Sequence, residues 1–204
     1  MTGAGDLHDT DEWLDYTVTY LEMNAPPEFP HPPAPLTSGF ALIRAEAPPV
    51  RWFLHLYDSV GADHEWTDWH RRPREALEAF VADPDVTIYT VMLQGWTAGF
   101  FMLDWRKPKE CELAYLGLAP EGRGRGLGSW LTRTAILTGW ERDGVEKMVL
   151  ETCTLDSPRA LTLYQKLGFA PVSRIDKRRR KAGPEPGGEK EPAGSPEISI
   201  EETT

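Results

Sequence analysis

The chain has 204 residues, of which 40% are hydrophobic, with eight tryptophans and a formal net charge of −10; this is enough apolar material for one substantial core and argues for a single domain. No run of eighteen apolar residues occurs, and Met1–Asp9 carries neither a basic nor an apolar signal region, so neither membrane insertion nor export is expected and a cytoplasmic location is the default. Seven basic and seven acidic residues fall between Arg174 and Thr204, which leaves the whole acidic excess in residues 1–173; such a domain repels nucleic-acid phosphates and favours cationic partners.

Residues 1–12 are polar and are expected to be disordered. A strand begins near Leu14, where Tyr16, Val18 and Tyr20 alternate with Thr17 and Thr19, and a proline-rich connection from Asn24 to Pro35 follows as an extended, partly polyproline surface segment. Phe40–Arg44 reads as a second short strand. From Val50 to Gly61, residues Trp52, Phe53, Leu56, Tyr57 and Val60 form one apolar helical face, and Pro73–Val81 opens another helix with proline in its first turn. Between them, Asp63–His70 is dense in aromatic and ionisable groups. Val86–Leu93 and Thr97–Trp105 are strands joined by a hairpin at Gln94-Gly95-Trp96, and Glu110–Leu118 is the next strand. A long helix from about Arg125 stops at Gly144, and Lys147–Thr152 is a buried strand that the intervening helix makes parallel to Glu110–Leu118. A short helix is capped by Ser157 with Pro158 at its first position and ended by Gly168, after which Phe169 enters a last strand. From residue 175 to 204, including the basic run Lys177–Lys181, too few apolar residues remain to pack and a disordered charged tail is expected. Cys111 and Cys153 lie at opposite ends of parallel strands, so no disulfide is expected.

Between Leu116 and Trp130 the glycines Gly122, Gly124, Gly126 and Gly128 form a strand-to-helix junction. Glycines there let the backbone approach a ligand, and the helix aims unpaired N–H groups and its dipole at it, so the junction suits an anion. It lacks the Gly-Lys-Ser/Thr of a P-loop and the Gly-x-Gly-x-x-Gly spacing of a dinucleotide fold, but satisfies Arg-x-x-Gly-x-Gly at Arg123, Gly126 and Gly128. This resembles the pyrophosphate loop of the GCN5-related N-acetyltransferases, the GNAT superfamily. A second stretch, Asp156-Ser-Pro-Arg-Ala160 with Leu163-Tyr164-Gln-Lys-Leu-Gly-Phe169, resembles the other half of that family's cofactor site in order and spacing. The resemblance implies an α/β fold with a mixed, mostly antiparallel sheet of six to seven strands and about four helices, over residues 13–174.

It also implies an acetyl-CoA-dependent N-acetyltransferase that uses no metal and transfers the acetyl group directly within a ternary complex. Leu116, Gly117 and Leu118 would form the splayed strand end, with backbone N–H near Leu118 for the thioester carbonyl and oxyanion. Backbone N–H of Arg123, Gly124, Arg125, Gly126, Leu127, Gly128 and Ser129 would hold the pyrophosphate, with the two arginines adding charge-assisted contacts. Asp156, Arg159 and Tyr164 complete the cofactor set, Asp156 standing where many relatives carry asparagine and so lacking the amide donor. Tyr164 is the proton donor to the leaving thiolate and Glu112 the base, with Asp104, His55 and His64 in reserve. Side-chain alternation puts Glu112, Ala114 and Leu116 on one face and Cys111, Leu113 and Tyr115 on the other. Cys153, near the thioester, is read as a buried, unactivated thiol. The acceptor is a small cationic amine, with a protein or peptide amine as the enzymatic alternative and a non-catalytic acyl-CoA sensor as the non-enzymatic one. Neither nucleic acid nor membrane is an expected partner, and the family resemblance adds homodimerisation.

Overall fold

The computed structural model describes residues 13–181; the expectations for residues 1–12 and 182–204 lie outside it. Strands β1 (Trp13–Met23), β2 (Phe40–Ala45), β3 (Val86–Leu93), β4 (Trp96–Asp104), β5 (Glu110–Leu118), β6 (Lys147–Cys153) and β7 (Ala170–Arg180) form one seven-stranded sheet in the order β2-β3-β4-β5-β6-β1-β7. Only β5 and β6 pair in parallel, as the crossover through helix α4 (Leu127–Trp140) requires. Helices α1 (Val50–Gly61), α2 (Asp68–Arg71) and α3 (Arg74–Ala82) cover one face of the sheet, and α4 and α5 (Ala160–Lys166) lie on the other.

Two cores result from this layering. On the α1–α3 face, Phe53, Leu56, Tyr57 and Val60 pack with Trp69, Leu77 and Phe80 onto Ile88, Phe100 and Met102. On the α4 face, Leu131, Ala135 and Ile136 pack onto Leu103, Leu113, Met148 and Leu21. The Gln94-Gly95 turn joins β3 to β4 with positive φ at both residues, +49° and +90°, the geometry that lets a two-residue turn follow the twist of its strands. Among the described residues no helix is long and apolar enough to cross a membrane, and both cysteines are free.

Strand β1 is threaded between β6 and β7, antiparallel to both, with Leu21 opposite Leu150 on one side and Val18 opposite Ile175 on the other. Two sequence expectations are corrected. First, the last strand does not stop at 174, where a charged tail was expected to begin. Strand β7 continues to Arg180 because the basic run finds partners on β1: the Arg178 and Arg180 guanidinium groups lie 5.2 and 5.6 Å from the Trp13 ring, Arg179 lies 5.7 Å from Tyr16, and Arg178 pairs with Asp15 at 3.2 Å. Second, α5 starts at Ala160, two residues later than Pro158 would place it, and Ser157 Oγ accepts from the Arg159 N–H at 3.4 Å instead of capping the helix.

The connection from β1 to β2 crosses the outer surface of α4 as an extended strap. Phe29, Pro32 and Pro35 are half-buried while their immediate neighbours from Glu28 to Leu36 are exposed, the threefold spacing of a polyproline helix with one face down. The Arg133 guanidinium stacks 4.6 Å from the Phe29 ring, His31 meets Glu141 at 3.0 Å, and Phe40 packs edge-on against Trp130 at 4.9 Å.

Because β1 is interior and β7 is an edge, equal truncations on the two should differ. Leu21 is 1% exposed, and Leu21→Ala should cost about 2–5 kcal/mol; Val172, 54% exposed, should change stability by no more than about 0.5 kcal/mol as Val172→Ala. Urea unfolding of the two variants measures both, and comparable losses would contradict the strand order.

Candidate active site

The site is organised by a parting of strands. Pairing between β5 and β6 runs only from Glu110–Lys147 to Glu112–Val149. Beyond that, β5 stays with β4 as far as Leu118–Gly99 and β6 stays with β1 as far as Cys153–Val18, so the two strands open a gap between them. A β-bulge accompanies the opening: Tyr115 lies opposite Met102 and Leu113 opposite Leu103, leaving Ala114 as an extra residue. Bulges bend and over-twist the strand that carries them.

The bulge overturns the simple alternation along β5. Cys111 and Leu113 face α4, Ala114 and Tyr115 both pack on the α1–α3 side, and Leu116 and Leu118 return to the α4 side. Leu116 therefore does not share a face with Glu112, which with its cross-strand partner Asp104 faces the α1–α3 side.

The Ala119 N–H donates to Ala98 O at 2.9 Å, toward β4. Successive peptide groups in a strand point to opposite sides, so the N–H and C=O of Leu118 point into the gap. Leu118 O accepts from Arg123 Nε at 3.2 Å, leaving its N–H as the donor directed at whatever enters.

After Leu118 the chain makes one tight turn, with Gly122 N–H donating to Ala119 O at 2.8 Å and Arg123 N–H to Pro120 O at 3.2 Å. Arg123 is thereby removed from the expected set of phosphate-binding backbone donors. Gly124 and Gly126 both adopt φ of +75°, with open space where a Cβ would stand, and α4 begins directly after Gly126 with no side-chain cap. The N–H groups of Leu127, Gly128 and Ser129, in the first turn of a fourteen-residue helix, have no intrahelical acceptor and face the loop's open side. This cradle suits an anion such as a pyrophosphate. The Arg125 guanidinium is exposed nearby, its Nε donating to Glu121 O at 3.1 Å.

Arg123 does not reach over this cradle. Its Nη1 pairs with Asp63 at 2.8 Å and its Nη2 meets His64 Nε2 at 3.5 Å, so the side chain ties the glycine loop to the end of α1. Two further residues of the α1–α2 connection cross the gap. His64 Nδ1–H donates to Leu155 O at 3.2 Å, and Trp66 Nε1–H donates to Asp156 Oδ1 at 3.4 Å. The other oxygen of Asp156 accepts from Thr152 Oγ1 at 2.9 Å and from Cys153 N–H at 2.8 Å. Asp156 thus closes the turn after β6 and anchors the indole, work that engages both carboxylate oxygens. Arg179, from β7, donates to Thr67 Oγ1 and Glu65 O and holds the same connection from outside.

Tyr164 lies on α5 against Phe169, ring centroids 6.2 Å apart, and burial followed by the nearby Asp156 carboxylate pushes its phenol well above the usual range. It stays protonated at neutral pH and can donate a hydrogen bond, while the same burial makes it a weaker acid than a free phenol. Arg159 is exposed just ahead of α5. Cys153 is half-buried, and burial and Asp156 push its thiol up, which disfavours the thiolate a nucleophile needs. Asp104 is engaged by Arg106 at 2.6–3.0 Å and leaves the reserve of bases. His55 lines a surface cleft with Ser59, Trp96, Thr97 and Ala119, separated from the gap by Val60 packed on Gly117.

The model of the acetyltransferase (GNAT) family matches residues 24–169. The chain belongs to this family. Among solved structures it is similar to a GCN5-related N-acetyltransferase from Sphaerobacter thermophilus, with a TM-score of 0.59 at 18% identity, covering 83% of this chain and 52% of that one. It is also similar to a putative acetyltransferase of the GNAT family from Novosphingobium aromaticivorans, TM-score 0.53, 21% identity, 83% and 66% covered, and to a tandem GNAT protein from the clavulanic acid biosynthesis pathway, TM-score 0.53, 14% identity, 83% and 55% covered. The chain spans about half to two-thirds of the length of these structures. No curated protein matches it in sequence. The GNAT family match begins after β1 and ends before β7, so the two strands that complete this sheet lie outside it.

Sequence reasoning singled out the Asp63–His70 segment as a group, but the roles of Trp66, Asp63 and Arg123 as bridges were not visible in it. Glu112 sits at the closed end of the gap, six residues before Leu118; burial first, then Asp104 and Glu151, hold its carboxyl above the normal carboxylate range. A carboxyl raised by folding supports the fold fully below its unfolded pKa and loses that contribution as pH rises through the folded value. Glu112→Gln has no such loss. Its melting temperature should therefore gain on that of the parent as pH rises from about 4 to about 7; a difference that is constant over this range would contradict the placement of Glu112.

Proposed function

We propose that this protein is an N-acetyltransferase that moves the acetyl group of acetyl-CoA onto the primary amine of a small cationic molecule in the cytosol. The observation that carries this reading is the Leu118 N–H directed into the β5–β6 gap immediately before a glycine loop that opens α4. A thioester whose carbonyl accepts from Leu118 would place its pyrophosphate toward Gly124–Ser129. Glycines with positive φ and first-turn N–H groups fit that anion without rearrangement.

The chemistry needs a neutral amine, a stabilised oxyanion and a proton for the departing sulfur. Glu112 and Glu151, on the face opposite α4, favour a cationic acceptor, and the raised carboxyl of Glu112 makes it a better base than an exposed glutamate. The base takes a proton from the ammonium; the amine lone pair attacks the carbonyl carbon, the C–N bond forms and the C–S bond breaks. Leu118 N–H stabilises the oxyanion. Tyr164 gives its proton to the thiolate, and the phenolate recovers the second proton shed by the nitrogen.

Thiol release from acetyl-CoA across polyamines, aminoglycosides, amino acids and short peptides, beside calorimetric binding of acetyl-CoA, tests the proposal. Release should depend on a small cationic amine, and Tyr164→Phe should lower kcat roughly a hundredfold or more with little change in acetyl-CoA affinity. Tight binding without release to any amine would assign a sensor instead, and release only to peptides would replace the small acceptor with a protein.

A further inference from the structure

Resting on the acyl-CoA reading above, we propose that Trp66 sets the length of the acyl group: its indole roofs the gap on the face opposite α4 and restricts the site to acetyl.

The placement follows from what the ring touches on each side of the opening. On the β5 side, the indole packs against Tyr115 at 5.3 Å, Tyr57 at 5.5 Å and Phe100 at 6.4 Å between ring centroids. A Cβ built on Gly117 would meet the Trp66 ring at 3.9 Å, so the indole stands over the strand end whose next residue, Leu118, presents its N–H to the gap. On the β6 side, Nε1–H reaches Asp156, which is fixed in turn by Thr152 and the Cys153 N–H. One rigid side chain therefore spans the opening.

Its freedom to move is small. A Cβ on Gly61 would lie 2.5 Å from the Trp66 side chain, so the end of α1 backs the ring, and Arg179 from β7 holds the flanking Glu65 and Thr67. On the other face the gap is lined by Leu116 and Leu118, packed into the α4 core. An acyl chain held by its carbonyl at Leu118 meets the indole within a few bonds. A methyl group fits beneath a fixed roof; a longer chain must displace it or leave the carbonyl site. Asp156, placed in the cofactor set from sequence, acts here through the indole as a positioning residue.

The test is calorimetric binding of acetyl-CoA and hexanoyl-CoA to the full chain, which needs no knowledge of the acceptor. The parent should bind acetyl-CoA about tenfold or more tightly than hexanoyl-CoA. Trp66→Leu should bring the two within about threefold, chiefly by gaining affinity for hexanoyl-CoA. Trp66→Phe keeps most of the aromatic packing while losing the bond to Asp156; it should fall between the two, and it decides the matter if Trp66→Leu does not fold. Equal affinities in the parent, or a preference unchanged in both variants, would overturn the roof while leaving the acyl-CoA site intact. Failure of the parent to bind either thioester would instead bring down the site itself, and the roof with it.

Discussion

Strands β5 and β6 run side by side for three residue pairs and then separate, and nearly everything else in the molecule is arranged around that separation. Two strands that part in the middle of a sheet leave backbone donors and acceptors without ladder partners, a cost that a buried sheet does not ordinarily bear. Here the loss falls mainly on the inner edges, because β4 and β1 stay paired along the outer edges, interrupted only by the bulge at Ala114. The extra residue at Ala114 supplies the bend, and one turn and the glycine loop lead from the end of the diverging strand into α4, so one continuous stretch of chain opens the gap and shapes the loop at its mouth.

The opening is braced by polar side chains that might have been assigned to ligands on residue type alone. Arg123 neutralises Asp63 and holds Leu118 O, and Asp156 divides its oxygens between the turn after β6 and the indole of Trp66. The open side of the loop is accordingly lined by backbone N–H groups rather than by its first arginine, which is engaged elsewhere. Backbone donors are pre-oriented by the fold, whereas a long side chain must be ordered on binding.

Much of this was legible in the sequence because it is encoded locally. The alternation of Tyr16, Val18 and Tyr20 marks a strand, the apolar spacing from Phe53 to Val60 marks a helix face, and the glycines from Gly122 to Gly128 mark a strand-to-helix junction, although the helix starts at Leu127 rather than near Arg125. What escaped is encoded in pairs far apart along the chain. Nothing near Trp13 or Arg180 announces that they face each other, and a run of five basic residues carries the composition of a solvated tail until the aromatic rings of β1 are set against it. The bulge at Ala114 is one residue in nine, yet it reverses the facing of everything after it, which periodicity alone does not detect. The bridges from His64 and Trp66 join residues about ninety positions apart.

The threading of β1 bears on the order in which the protein assembles. As the chain leaves the ribosome, β1 and its strap are made first, but both neighbours of β1 come from residues 147–180. Strands β2 to β5 can pair as an antiparallel series while β1 waits, apolar on one face and open along both edges, for partners synthesised more than a hundred residues later. Non-local pairing of this kind is slow to form and exposed to misassociation in the interval. The strap that leaves β1 lies along α4, the helix that leads into β6, so the strand that must wait and the segment that supplies its partner are held to the same element.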